Sequence, residues 1–410
     1  MFSSVGLRRI RGRPFLGALT LALTACGSAP ASHAGVTPAG VAGATTIDFA
    51  NVANYAAPKL PAYFDQTVAA MDNDPPSNAV NDRVATLGRV LFYDLRLSTN
   101  NKAACASCHQ QALGFTDSMR FSNGISTAGT TDFHAMRLAN IRYWRPGSAF
   151  WDRRVATVEA QVSHPLLNPV EMGWGAGAGD FASLIRKMGA TAYYPDLFQW
   201  AYGSPAITED RVEKALAQFV RAMVSSSSRW DTGYAQVFSP QAPNRALDVP
   251  LPNFTAQENR GLTLFMTAVA QGGAGCSSCH LPPTFALAEN ARSNGLDAGE
   301  KRLFKAPSLR NVGLTGPYMH DGRFTTLAQV VDFYDHGVQE GPALDNRLRQ
   351  GDRPQRLHLD AADKAALVAF LETLSDPALT TDQRFSNPFR DAFHAPPPST
   401  NEIAALNPSR

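Results

Sequence analysis

Hydrophobic positions recur at helical spacing in several separated stretches, and strand-like alternation is sparse. Residues 208–224 open on Thr208 as an N-cap and then set Val212, Leu216, Phe219, Val220 and Met223 on one face. Residues 325–335 repeat this from Thr325, with Leu327, Val330, Val331 and Tyr334, and a third helical run covers 361–374. Two shorter amphipathic segments, Leu87-Gly88-Arg89-Val90-Leu91-Phe92 and Arg260-Gly261-Leu262-Thr263-Leu264-Phe265, read as copies of one another. Thr255 and Glu258, three residues apart, form a capping box ahead of the second copy. The pattern predicts a mainly α chain with long irregular loops.

The N-terminus has a different logic. Residues 1–14 are basic and residues 15–25 are apolar, a run too short for the roughly 18–20 residues of a membrane span but right for a secretory signal. Leu23-Thr24-Ala25-Cys26 resembles a bacterial lipoprotein box, in which the cysteine is lipidated and becomes the new N-terminus. The alternative is ordinary signal cleavage with a stray cysteine. Residues 1–25 are therefore expected to be removed, and Cys26 to anchor the chain on the periplasmic side of the bacterial envelope. That lipid is the sole membrane contact expected. Residues 26–57, rich in Ala, Gly, Ser, Thr and Pro, read as a flexible tether.

The chain has 410 residues, 44% hydrophobic and 18% charged, which excludes disorder throughout. Its formal charge of +2 includes Arg8, Arg9, Arg11 and Arg13, so the processed chain carries about −2. A nucleic-acid partner, which needs a strong positive field, is not expected.

The other four cysteines fall into one pattern used twice: Cys105-Ala-Ser-Cys108-His109 and Cys276-Ser-Ser-Cys279-His280. C-x-x-C-H is the attachment motif for c-type haem. Two thiols at this spacing add to the two vinyl groups, and the adjacent imidazole then lies under the iron. A four-ligand zinc site or a redox dithiol gives no reason for a histidine after each pair. Two covalently bound haem c groups are expected, in two tandem cytochrome c-like domains. The first spans 58–245 and the second 246–385, with the Pro- and Asn-rich stretch 239–254 as linker. The chain beyond 376, including a tail at 386–410, is expected to wrap the surface.

With these motifs in view, the chain from about residue 80 to 385 resembles the bacterial dihaem cytochrome c peroxidase and MauG family. The resemblance is carried by Leu91-Phe92-x-Asp94-x-Arg96-Leu97-Ser98, Phe150-Trp151-Asp152, Asn168-Pro169-Val170-Glu171-Met172, Pro307-Ser308-Leu309-Arg310-Asn311-Val312 and Thr315-Gly316-Pro317-Tyr318-Met319-His320-Asp321-Gly322. It implies that hydrogen peroxide reacts at the N-terminal haem and that the C-terminal haem passes or stores electrons.

The resemblance also assigns roles. Glu171 matches the family's distal glutamate, ten residues after Gln161. A carboxyl there can take a proton from one peroxide oxygen and return it to the other. Phe150 matches an aromatic over the distal face, and Trp151 the tryptophan between the two haems. Peroxidases that need reductive activation carry a distal histidine at the position of Ile125. His134 stands where the family often has an asparagine that contributes to a calcium site between domains, and Thr315 and Pro317 are the matching candidates for one calcium ion. His134 is also an alternative sixth ligand for the first iron, and His164 reads as structural or surface. Fourteen residues after His320 stands Tyr334, where peroxidases carry Met and MauG-type enzymes carry Tyr. A phenolate is a hard donor and favours oxidised iron, so Tyr334 is expected to ligate the second iron.

The expected function is a haem peroxidase-type oxidoreductase. Its partner is a small electron-donor protein (a cytochrome or a cupredoxin) or, as in MauG, a protein whose side chain is oxidised. The different-class alternative is a non-catalytic dihaem electron carrier. An open coordination position at the first haem favours the enzyme.

Overall fold

Helix Asp82–Tyr93 starts where the Asn81 side chain accepts from the amides of Arg83 and Val84. It packs on helix Glu209–Ala222, which begins at the expected Thr208 cap. The crossing is close because Gly88 has no side chain: a Cβ there would lie 2.0 Å from the carbonyl oxygen of Ala215. Helix Ala256–Met266, with the expected Thr255–Glu258 capping box, crosses helix Ala361–Glu372 in the same way. Gly261 there faces the carbonyl of Ala366, again at 2.0 Å. The duplicated sequence is thus the first helix of two matching pairs, and that helix stands just ahead of its C-x-x-C-H segment in the chain.

This computed structural model describes residues 38–390 apart from 126–128 and 176; the signal segment, Cys26 and residues 391–410 lie outside the described residues. The described chain is mainly helical, as expected. Its strands are two short antiparallel hairpins, His280–Leu281 with Ala286–Leu287 and Arg349–Gln350 with Arg353–Pro354. None of the described helices is long and apolar enough to cross a membrane.

Two large hydrophobic cores sit on the two helix crossings. The first gathers Leu87, Val90, Leu91 and Phe92 against Leu216 and Phe219, and the second gathers Leu262 and Phe265 against Leu367 and Phe370. The cores do not divide at 245/246 as expected. Tyr63, Trp230 and Tyr234 belong to the second core, as do Leu247, Leu251 and Phe254 of the expected linker. The reason is a buried ion pair: Arg310 donates to Asp231 at 2.7 Å, the Tyr63 hydroxyl bonds the same carboxylate, and Trp230 packs against Tyr63 and Phe285. A buried guanidinium needs its carboxylate, so helix Arg229–Val237 stays with Arg310.

Two further expectations need correction. From residue 38 the expected tether is packed: Val41, Phe49 and Tyr55 are buried in the first core. The chain beyond 376 does not simply wrap the surface either. Phe385 and Phe389 are buried in that same core, Tyr93 donates its hydroxyl to the Phe385 carbonyl at 2.6 Å, and Thr45 bridges Phe389. A few aromatic anchors outweigh a polar composition, because each buries a large apolar area.

Candidate functional site

Each C-x-x-C-H segment opens onto its own cavity. Cys105, Cys108 and His109 line one, and Cys276, Cys279 and His280 line the other. Their empty volumes, with the open solvent at the mouths included, are about 1790 and 1470 Å³. No disulfide joins these four cysteines, and burial pushes the Cys105, Cys108 and Cys276 thiols up to about 12. Among the described residues no three His, Cys, Asp or Glu side chains cluster as a metal cage would need, which excludes a zinc site built from both pairs. Two thiols and an imidazole on the wall of an apolar cavity fit covalent haem.

The two histidines are held differently. Cys105–Cys108 forms one helical turn; the chain then doubles back through Gly114 and Phe115, both at positive φ (64° and 65°). This brings the Phe115 carbonyl 3.0 Å from His109 Nδ1. A carbonyl only accepts, so Nδ1 carries the proton and Nε2 keeps its lone pair for iron. His280 starts the first hairpin, and its buried Nδ1 has no hydrogen-bond partner among the described residues. Burial, with Arg137 and Arg347 adding, pushes His280 down to about 4, so it too is neutral.

Phe150, Gln161 and Glu171 line the first cavity too. Asn168 ends helix Val158–Leu167; its side-chain oxygen accepts from the Val170 amide and its Nδ2 donates to Glu171 Oε1 at 2.8 Å. Burial raises the Glu171 carboxyl, while Arg154 and Asn168 oppose the rise. Arg154 stacks on Phe150 at 3.6 Å and pairs with Asp152 at 2.8 Å. Sequence reasoning missed Arg154, and it named Asn168 within the Asn168–Met172 motif without giving it a role, because a lone Arg or Asn at a helix end or in a loop carries no periodic signal.

His134 is buried with both ring nitrogens engaged, Nδ1 with the Met119 carbonyl at 3.0 Å and Nε2 with Thr116 Oγ1 at 3.1 Å. It is a satisfied core histidine. His164 lies at the surface edge-on to Phe150. Ile125 packs on the first core and has no donor atom for iron.

Trp151 lines both cavities, and among the described residues it is the one side chain they share. Its Nε1 donates to the His134 carbonyl at 2.8 Å, its carbonyl accepts from the Lys305 amide, and its ring sits edge-on to His320. In the second cavity, Leu327, Val330, Val331 and Tyr334 line one wall, as their spacing predicted. The helix starts one residue later than expected, with Thr326 as cap, and runs Leu327–Asp332 before a π-helical turn, Phe333–Gly337, that carries Tyr334. Asn294 Nδ2 reaches Tyr334 Oη at 3.4 Å.

Of the two expected calcium residues, Thr315 has its hydroxyl already engaged. Thr315 Oγ1 accepts from the buried guanidinium of Arg137 at 3.2 Å, and the same group donates to the Ser308 carbonyl at 2.6 Å. A fixed cation thus already occupies the Thr315 hydroxyl and the Ser308 carbonyl, and a second cation on that hydroxyl would be repelled.

The chain is similar to known proteins. A family model described as di-haem cytochrome c peroxidase matches residues 82–237. The methylamine utilization protein MauG of Methylorubrum extorquens is 30% identical over 328 residues, covering 75% of this chain and 82% of that protein. The cytochrome c551 peroxidase of Nitrosomonas europaea is 29% identical over 301 residues, covering 67% and 80%. A crystal structure of a MauG-like protein associated with microbial copper homeostasis is similar with a TM-score of 0.62 at 32% identity, covering 78% of this chain and 97% of that one.

Proposed function

Because the chain belongs to the dihaem cytochrome c peroxidase and MauG family, we propose that this haem peroxidase-type oxidoreductase meets hydrogen peroxide in the cavity of Glu171 and moves electrons past Trp151 to the cavity of Tyr334. Cys105, Cys108 and His109 hold one haem c, and Cys276, Cys279 and His280 the other. When bound, these groups supply the iron for peroxide and for one-electron transfer.

The protein's own residues supply the rest. Glu171, desolvated and steadied by Asn168, accepts the proton of one peroxide oxygen and delivers it to the other. Gln161 and Phe150 bound the same space, and the arginine on Phe150 holds that ring in place. The Phe115 carbonyl makes His109 the more basic of the two proximal ligands, which favours oxidised iron on the peroxide side. Ile125 offers no ligand and both His134 nitrogens are engaged, so this arrangement favours an enzyme over a six-coordinate carrier.

The observation that carries this reading is the position of Trp151 on both cavity walls. A half-buried indole there offers a route through packed atoms from one site to the other. Tyr334 favours the MauG-like version, in which a protein side chain supplies the electrons; a small cytochrome or cupredoxin donor is the other version. The apolar run 15–25 and Cys26 support a lipid-anchored place on the periplasmic side.

The test is intact mass after denaturation followed by peroxide reaction. Two haems are expected, and Trp151→Phe should keep both, react with peroxide normally at the first site, and slow oxidation of the second. One haem or none in an exported sample, or unchanged transfer in the variant, would overturn the reading.

A further inference from the structure

Met319 precedes His320 in the second cavity and has a positive φ of 73°, a conformation that a side chain other than glycine adopts only at a cost. Its thioether lines the cavity beside the Tyr334 phenol, and both pack in one small cluster with Leu296 and Phe333. A single amide touches both donor atoms: Asn294 Nδ2 lies 3.5 Å from Met319 Sδ and 3.4 Å from Tyr334 Oη. Two iron-binding groups of opposite character therefore share one place. Phenolate oxygen is hard and anionic and prefers oxidised iron, whereas thioether sulfur is soft and neutral and prefers reduced iron.

We propose that Met319 is a second axial ligand of the His280 haem, taking over from Tyr334 when the iron is reduced, with Asn294 holding whichever donor is displaced. The step balances simply. A one-electron reductant gives one electron to the iron, the bond from Tyr334 Oη to iron breaks, and that oxygen takes one proton from water. Met319 Sδ then forms the new bond through its own lone pair; reoxidation reverses each change. The inference rests on the second haem being attached at Cys276 and Cys279.

The test uses the two-haem holoprotein, read by absorption and near-infrared magnetic circular dichroism before and after dithionite. In Met319→Leu the oxidised spectrum should match that of the native protein, and the reduced spectrum should lose the low-spin six-coordinate signal of the second haem. Tyr334→Phe should do the converse: its oxidised form gains the sulfur-to-iron charge-transfer band, and its reduced form stays as in the native protein. Reduced spectra that coincide in native and Met319→Leu protein, or a reduced Tyr334→Phe protein that turns high-spin, would overturn the exchange. A sample whose mass shows no haem at Cys276 and Cys279 would overturn the haem reading itself, and the two failures are told apart by that mass.

Discussion

Gly88 approaches Ala215 so closely that a Cβ on it would lie 2.0 Å from the Ala215 carbonyl oxygen, and Gly261 approaches Ala366 in the same way. Four residues on, Phe219 and Phe370 close each crossing, and they stand 2.8 and 2.7 Å from those same hypothetical Cβ atoms. Each crossing backs one haem cavity. Gly88→Ala and Gly261→Ala must push two helix backbones apart, so each should cost about 1–3 kcal/mol or more. Denaturant midpoints of the holoprotein would check this. Gly43→Ala is the control, since nothing lies within 4 Å of a Cβ there, and it should leave the midpoint unchanged.

Glu171 sits above its ordinary carboxyl value because it is buried, and Asn168 is one of the groups that hold it down. Glu171→Gln keeps the shape and removes the proton shuttle. Peroxide reaction should slow by about 10²–10⁴-fold with haem content intact. Asn168→Ala removes a bond that favours the ionised form, so the Glu171 pKa should rise further. Since the ionised carboxylate is the proton acceptor, the acid limb of the rate–pH profile should move to higher pH. A stopped-flow profile of both variants against native protein measures it; an acid limb that stays put would remove Asn168 from the mechanism.

Much of this site could be read from the chain. The two C-x-x-C-H motifs, the Thr208 cap, the Thr255–Glu258 box and the Tyr334 face depend on short-range spacing, and each lies in the structure where spacing placed it. What escaped depends on distant partners. Arg137 touches Ser308 and Thr315, more than 170 residues away, and nothing near Arg137 in sequence announces that. Tyr63 and Trp230 join the second core because Asp231 must neutralise Arg310. The Thr325/Thr326 cap slipped by one because adjacent threonines offer the same hydroxyl, and the Gln329 side chain is what pairs with Thr326 in the capping box.

Lys305 predicts a pH dependence. It is buried, with Nζ donating to the Ser148 carbonyl at 3.0 Å and lying 4.4 Å from the centre of the Trp144 ring. Burial, with Arg153 adding, pushes it down to about 7 from its ordinary 10.5. Between those two values the unfolded chain holds a proton that the folded one has released. Stability therefore rises as pH goes from about 7 towards 10.5, by up to about 1.4 kcal/mol per pH unit. Below about 7 both states are protonated and this slope vanishes. Lys305→Met should abolish the slope, and the difference between native and variant unfolding free energies across pH 6–10 isolates it from every other titrating group.

Phe385 ties the C-terminal strap to His109, the proposed ligand of the first haem. After Asp376, which accepts from the amides of Ser226 and Ser227, the chain crosses to the first core, where Gln111 donates to the carbonyls of Leu379 and Asp382 at 2.9 Å. Phe385 then packs edge-on to Phe115 at 6.4 Å, and the Phe115 carbonyl is the group that fixes His109. Phe385→Ala should cost about 3–5 kcal/mol, the usual loss for an emptied aromatic site. The loss should also be local. Without its neighbour, Phe115 gains freedom, and the hydrogen bond to His109 Nδ1 weakens. The His109 haem should then show an altered iron–histidine stretching frequency by resonance Raman, while the His280 haem keeps its native spectrum. Equal changes at both haems would mean that the strap stabilises the whole molecule and does not govern the proximal histidine.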